Sequence, residues 1–215
     1  MPRDLTDLPY AADLTPPAQP LAPDGEYEQV HFDAVTVDEG AAAGSWFHRS
    51  ALTSVALTGG SLAHSRFDDV WLRGVRWIGT DIGETRWLDA ELIDSAWSGV
   101  VAVDAQLHRV RFEGCKLESV NFRAAKLRNV TFADCVLRDV DFSSAALRQV
   151  DFPGSRLDGV VLHRATLDTV DLRAAATVDL IADIGTLKGA VVTTGQLMEM
   201  APAFARAAGI IVRDN

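Results

Sequence analysis

Between Phe32 and Val192 an apolar residue recurs at every fifth position, with Thr177 the one exception. From residue 107 to residue 172 the register reads Leu107, Phe112, Leu117, Phe122, Leu127, Phe132, Leu137, Phe142, Leu147, Phe152, Leu157, Leu162, Leu167 and Leu172. Two residues ahead of each stands a small or β-branched one, as in Ala105, Val110, Cys115 and Val120. The other three positions of each unit are mostly charged, polar or small, as in VRFEG, CKLES, VNFRA and AKLRN. Two inward and three outward residues in every five fit neither the alternation of a regular strand nor the period of a helix. A continuous helix also fails on packing, because five residues on a 3.6-residue turn rotate the apolar stripe by about 140° at each step. A fixed short period means one small unit stacked along an axis, with a core that runs the length of the stack. An all-β solenoid is expected.

At these residues the chain resembles the pentapeptide-repeat family, whose loose consensus is a small residue, Asp or Asn, then Leu or Phe, then two polar residues. The resemblance covers residues 30 to 174. It implies a right-handed quadrilateral β-helix, with one five-residue unit to a side and about four units to a coil. The register supports the number of sides independently. From residue 100 onward, Val with Phe alternates with a small residue and Leu every ten residues. Three sides would set Phe over Leu, whereas four set Phe112 over Phe132 over Phe152, the like-on-like order that stacks aromatic rings. Before residue 100 the large residues hold the other parity, at Phe67, Trp77, Trp87 and Trp97, with Ala102 at the changeover. The bulk is therefore expected to pass from one pair of faces to the other.

Three segments follow. Residues 1 to 29 hold six of the eight prolines and are expected as a poorly structured or surface-draped arm, with Leu5, Leu8, Tyr10 and Leu14 available to pack weakly on the first coils. Residues 30 to 174 make the solenoid, about seven coils and roughly 35 Å long at strand spacing. The pattern breaks at TVDLIADIG and returns at Leu187 and Val192, which sets residues 175 to 215 apart as an irregular turn, a repeat remnant and a C-terminal helix or cap. In TTGQLMEMAPAFARAAGIIV, Thr193 and Gln196 have capping-box spacing and Gly209 supplies a stop. Pro202 is expected to kink or divide this helix. Leu197, Met200, Ala201 and Phe204 form one apolar face suited to covering the open end of the core. With Met198, Ile210, Ile211 and Val212 added, the surface is wider than one cap needs, and a two-fold contact between two such ends predicts a homodimer. Leu197, Met200, Phe204 and Ile211 are the candidate residues of that cap or dimer surface.

At 215 residues and 48% hydrophobic content the chain can bury a large core. No apolar run reaches the length of a membrane span, and MPRDLTDLPY lacks the apolar stretch of a signal peptide, so cytoplasm is the expected compartment and no membrane contact is foreseen. Cys115 and Cys135 fall at the small inward position of adjacent coils. Inert packing thiols are expected there, although a disulfide would fit a strand spacing of about 4.8 Å. The five histidines, His31, His48, His64, His108 and His163, lie on different faces or non-adjacent coils, and none pairs with another to hold a metal. No serine has a stacked histidine to activate it. Gly59 and Gly60 are expected as tight corners, with no phosphate-binding glycine loop in the chain. Neither enzymatic chemistry nor a cofactor is foreseen.

Charge is unevenly spread over a formal net of −10. Residues 1 to 106 hold 17 acids and 6 bases, residues 107 to 215 hold 13 and 14. Twenty-residue columns such as Arg49, Asp69, Asp89, Arg109 and Glu118, Arg138, Asp158 predict salt-bridge ladders of modest individual worth. Trp46 shares a column with Arg66 and Arg86, a spacing that suits cation–π stacking. Asp81, Glu84 and Asp104 cluster on one face without a basic neighbour in their columns, and form the candidate partner-binding acidic face.

Two functions are compatible with these features. One is a rigid protein-interaction scaffold with an unidentified protein partner. The other follows from resemblance to the fluoroquinolone-resistance proteins of mycobacteria and enterobacteria, which bind DNA gyrase or topoisomerase IV by imitating duplex DNA. The C-terminal GTLKGAVVTTGQLMEMAPAFARAAGIIV is similar to the mycobacterial type, in which a terminal helix makes the dimer. Duplex DNA carries one charge per about 1.7 Å, so 35 Å of a full mimic would present on the order of twenty negative charges. Residues 30 to 174 hold 20 acids and 16 bases, a net of −4. Mimicry would therefore have to be local, and direct nucleic-acid binding does not fit the acidic balance.

Overall fold

The computed structural model describes residues 4–207 and 209–213. Its body is a β-solenoid of about eight turns with parallel sheets and one C-terminal helix. Each unit pairs with the unit twenty residues on: Tyr27 lies against Phe47, Phe47 against Phe67, Leu107 against Leu127 and Leu127 against Leu147. Twenty residues per turn and five per unit give four faces. The first runs through strands Glu26–Glu28, Trp46–His48 and Arg66–Asp68; the second through His31–Asp33, Ala51–Thr53 and Trp71–Arg73; the third through Thr36–Asp38, Ala56–Thr58 and Arg76–Ile78. The fourth carries isolated parallel bridges, from Ala41 and Ser61 through Asp81 and Val101 to Val161. Longer strands such as Arg86–Ile93 turn the corner between the first two faces and join them in one sheet. The stack opens at Glu26, one unit earlier than the register from Phe32 suggests, and its last pair sets Ala190 and Val191 beside Val170 and Asp171.

The corners explain why the period is five. Every fifth residue from Asp24 to Thr169 has positive φ, and that single left-handed step swings the chain onto the next face. Asp and Gly are common at these positions because they tolerate that region well. At Gly60, where φ is +70°, a Cβ would lie 2.1 Å from the Gly40 carbonyl oxygen. Only glycine fits this contact, and with Gly59 at +64° it makes the tight corner expected.

The fifth-position side chains fill the core and stack by column. Phe47 lies 4.8 Å from Phe67 at 1° between planes, Phe67 lies 3.9 Å from Trp87, and Trp77 lies 5.2 Å from Trp97. The change of parity is real. Beyond Trp97 the rings occupy the other two faces, Phe112 on Phe132 on Phe152 and Phe122 on Phe142, all stacked. Trp97 meets Phe112 edge-on at 5.5 Å and 87°, where one pair of columns gives way to the other. Several small inward positions are serines whose hydroxyls cross-link coils. Ser155 donates to the Phe132 carbonyl at 2.7 Å and accepts the Cys135 amide at 2.8 Å, and Ser50 donates to the Tyr27 carbonyl at 2.9 Å. These buried hydroxyls are therefore satisfied.

Thr177 breaks the period because of a bulge. Val178, not Thr177, pairs with Leu157, and the register closes up again where Leu180 meets Val160. One extra residue before Val178 is thus compensated within three residues.

The N-terminal segment is docked. Two short 3-10 turns, Leu5–Asp7 and Ala11–Asp13, carry Leu8 and Tyr10 to burial against Ala51, Trp71 and Ile93 on the outside of the second face. The Tyr10 hydroxyl donates to the Asp69 carbonyl at 2.8 Å, Asp4 meets Arg73 at 2.7 Å, and Thr15 bridges to Val30. Trp71 and Ile93 are apolar at outward positions for this reason.

At the other end, Leu180, Ala182, Leu187, Ala190 and Val192 pack on the last coil. The helix α1, Thr194–Ala207, starts with the capping box read from the sequence. The Gln196 amide donates to Thr193 Oγ1 at 3.1 Å, and the Thr193 amide donates to Gln196 Oε1 at 2.9 Å. Gln196 Nε2 also donates to the Leu172 carbonyl at 2.7 Å, fixing the first turn to the solenoid. The helix runs through Pro202 without division. Among the described residues no helix is long and apolar enough to cross a membrane.

Candidate interaction site

The acidic trio occupies the fourth face and its corner. Glu84 and Asp104 are corner residues of adjacent coils with positive φ, and Asp81 stands at the bridge position between Ser61 and Val101. Their surroundings differ. His64 lies directly below Glu84 in the same column, and its Nδ1 is 3.5 Å from Glu84 Oε2. Glu84 therefore has a basic neighbour, His64, which a search for Lys and Arg at the adjacent positions of that column does not find. Asp81 is half-buried, and its Oδ1 accepts the Gly83 amide at 2.8 Å. The same turn recurs along this face, with Ser61 to Ala63, Asn121 to Arg123 and Asp141 to Ser143. Polar acceptors at Ser61, Asp81, Asn121 and Asp141, all in one twenty-residue column that Val101 interrupts, were the sequence signal for this structural role. Asp104 is exposed.

The densest unneutralised acidity lies elsewhere. Asp24, Glu26, Glu28, Asp33, Asp38 and Glu39 are all exposed around the first coil, where the sequence has no Lys or Arg from residue 24 to residue 48. Counting charge by halves of the chain missed this concentration in one turn of the solenoid.

Columns of opposite sign form the expected ladders. Arg109 grips Asp89 through two bonds, at 2.5 and 2.6 Å, and Arg49 sits 4.0 Å from Asp69. The Arg109 guanidinium holds the Asp89 carboxyl below the usual carboxylate range. Arg138 reaches both Glu118 at 3.6 Å and Asp158 at 3.3 Å. Trp46 differs from its sequence reading. Its ring stacks on His48, 5.3 Å away at 20°, and its Nε1 donates to Asp68 at 2.9 Å, so its aromatic partner is a neighbour on its own strand and not Arg66.

Cys115 and Cys135 are free and buried. Their thiols donate to the Leu92 and Ala133 carbonyls at 3.3 and 3.2 Å. Contact with Cys115, together with burial, pushes the Cys135 thiol well above its ordinary range.

The C-terminal candidates divide by burial. Met200 and Phe204 are half-buried and face a cleft against Val178, Leu180, Ala182, Ile184 and Leu187. Leu197, Met198, Ile210, Ile211 and Val212 are exposed, Ile211 to 77%. The helix thus caps with its first turn and one flank, leaving an apolar surface open to solvent.

Residues 105–180 match the family model described as "Pentapeptide repeat region". Among solved structures, the plasmid-mediated fluoroquinolone resistance protein QnrB1, in a trypsin-treated form, is similar at 14% identity, covering 88% of this chain and 100% of that one with a TM-score of 0.48. Rfr23, a pentapeptide repeat protein from the cyanobacterium Cyanothece 51142, is 15% identical over 62% of this chain and 91% of its own, with a TM-score of 0.46. HetL, a pentapeptide repeat protein involved in heterocyst differentiation regulation in the cyanobacterium Nostoc sp. strain PCC 7120, is 15% identical over 80% and 91%, with a TM-score of 0.31. No curated protein matches the chain. The family match lies inside a five-residue register that continues unbroken toward the N-terminus as far as Tyr27, so a pentapeptide-repeat region at residues 105–180 is embedded in a longer solenoid of the same period.

Proposed function

We propose that this chain is a non-enzymatic, cytoplasmic interaction scaffold, working as a homodimer joined through its C-terminal ends. The observation that carries this reading is the open apolar surface of α1 and the following tail, fixed to a rigid rod by Gln196. Leu197 and Met198 stand on the held helix, and the Ile210 amide donates to the Ala205 carbonyl at 2.8 Å, which ties the start of the apolar tail to the same helix, so these groups form a surface for a partner. A two-fold contact is the simplest closed use of it. Light scattering on the full-length protein tests the dimer: a monomer at about 50 μM, well above the working range of a stable dimer, would overturn it. A Phe204→Glu, Ile211→Glu variant is expected to be monomeric. The scaffold itself is tested by capture of proteins from the native host on the immobilised full-length chain, and retention of none would count against it.

Topoisomerase binding is the second reading, favoured by the exposed carboxylates of the first coil together with Asp104. It predicts inhibition of gyrase supercoiling, or protection of gyrase from quinolone, by the purified protein. Reversal of Asp81, Glu84 and Asp104 to Lys would then abolish the effect. Inactivity toward the host's own gyrase and topoisomerase IV removes this reading and leaves the scaffold.

A further inference from the structure

The first face changes character between the coils of Arg86 and Arg148. Its outward positions there are Arg86, Leu88, Asp89, Gln106, His108, Arg109, Lys126, Arg128, Asn129, Ala146, Arg148 and Gln149, a single acid among five Lys and Arg. That acid, Asp89, is already held by Arg109, and Arg148 is met at 3.1 Å by Asp168 at the far edge. Arg86, Lys126 and Arg128 are exposed and, among the described residues, make no ion pair.

Stacking makes this pattern costly. Arg128 pairs in register with Arg148, which sets like charges on strands about 4.8 Å apart, and His108 continues the same column on the other side of Arg128. On the third face, by contrast, Glu118, Arg138 and Asp158 alternate in sign along one column. His108 registers the local potential, since burial first and then the charges of Arg109 and Arg128 hold its imidazole below the ordinary range. Asp68 and Asp69 bound the cationic stretch on one side and Asp168 on the other.

We infer that this stretch of the first face is a docking site for a short, extended acidic peptide segment of a partner protein. The footprint sets the length. Three coil steps span about 14 Å, which accommodates roughly five extended residues before the flanking acids intervene. Leu88, 36% exposed beside Arg86, offers one apolar contact among the cations. Single-stranded nucleic acid is a poorer occupant, because such sites stack bases on exposed aromatic rings. The one large aromatic exposed on this face among the described residues is Trp46, two coils away from Arg86 and already stacked on His48. The inference rests on the scaffold reading in taking a rigid face as the binding element, but uses neither the C-terminal surface nor the acidic trio.

Fluorescence anisotropy with a labelled ten-residue glutamate-rich peptide carrying one leucine tests it on the full-length protein. Wild type is expected to bind, with affinity falling severalfold between about 50 and 500 mM salt. The triple variant Arg86→Glu, Lys126→Glu, Arg128→Glu should lose about tenfold or more, with an unchanged melting temperature because all three side chains are outward. A charge-matched variant on the third face, Arg76→Glu, Lys116→Glu, Arg156→Glu, should bind like wild type. Equal loss in both variants, no binding by wild type, or tighter binding of a ten-nucleotide oligothymidylate than of the peptide would each overturn the proposal. Host-protein capture reads the scaffold separately: if the peptide fails while partners are still retained, the docking site falls and the scaffold stands.

Discussion

The two ends of the rod solve the same problem differently. Each must cover the interior of a terminal coil and blunt the unpaired edge of its sheets. At the N-terminal end the chain folds back and spends its apolar residues in doing so. Leu21 packs on the core, Tyr27 is stacked on Phe47, the Tyr27 hydroxyl bonds the backbone at Pro20 and Ala22, and Leu8 and Tyr10 are buried on the outside of the second face, where they hold the arm down. At the C-terminal end the last strand remnant covers the core, and the helix that follows, with the tail after it, keeps five large apolar side chains in solvent, Leu197 and Met198 on the helix and Ile210, Ile211 and Val212 beyond it. Both ends are covered by their own chain, but one buries its apolar residues in doing so and the other leaves several of them exposed. Sheet pairing alone does not distinguish them; exposure does.

The largest effect is expected in neither end but in the body between them, which sets the scale. Phe132→Asp or Leu137→Asp places an unpaired carboxylate in a fully buried column and should cost several kcal/mol, enough to unfold the chain or split the solenoid. A thermal melt within a degree or two of wild type would show that the columns are not the core. Next comes the closed end. Tyr10→Ala removes a buried ring and its bond to the Asp69 carbonyl, and should cost about 2 kcal/mol and expose residues 4–20 to proteolysis. If the arm stays protected, its docking does not depend on Tyr10 and the contrast between the ends is weaker than the burial indicates. At the open end, Leu197→Glu with Ile211→Glu, both exposed, should leave the melting temperature of the monomer nearly unchanged while altering assembly. A large loss of stability in dilute solution would mean that the helix closes the rod from within. The smallest effect is electrostatic. Asp89→Asn should lower the melting temperature by about a degree at neutral pH. Because Arg109 holds the Asp89 carboxyl below its ordinary range, its contribution is complete above that range and is lost as pH falls through the lowered value, so variant and wild type should converge in acid.

The body was legible because stacking leaves a direct trace: whatever sits at Phe112 must suit Phe132, and the parity change at Trp97 could be read without coordinates. Outward positions carry no such constraint. Trp71 and Ile93 are buried only because residues some sixty to eighty positions earlier lie over them, and no period announces that contact. The twenty-residue column did place His64 under Glu84, yet attention to Lys and Arg alone hid it. Thr177 marked an irregularity without revealing that Val178 restores the stack. The basic stretch of the first face was dispersed among four separate units in the chain and becomes contiguous only when those units are laid side by side.

The placement of the rings has an optical consequence. All five tryptophans precede residue 98, and four of them, Trp71, Trp77, Trp87 and Trp97, are buried in two successive coils. Intrinsic fluorescence therefore reports on those two coils, while everything beyond Trp97 is silent at indole excitation. Repeat arrays lose structure by neighbouring units, so fraying from the C-terminal end would reduce the β-sheet ellipticity before any change in emission. Disagreement between the two signals on heating would then measure how far unwinding had travelled along the rod.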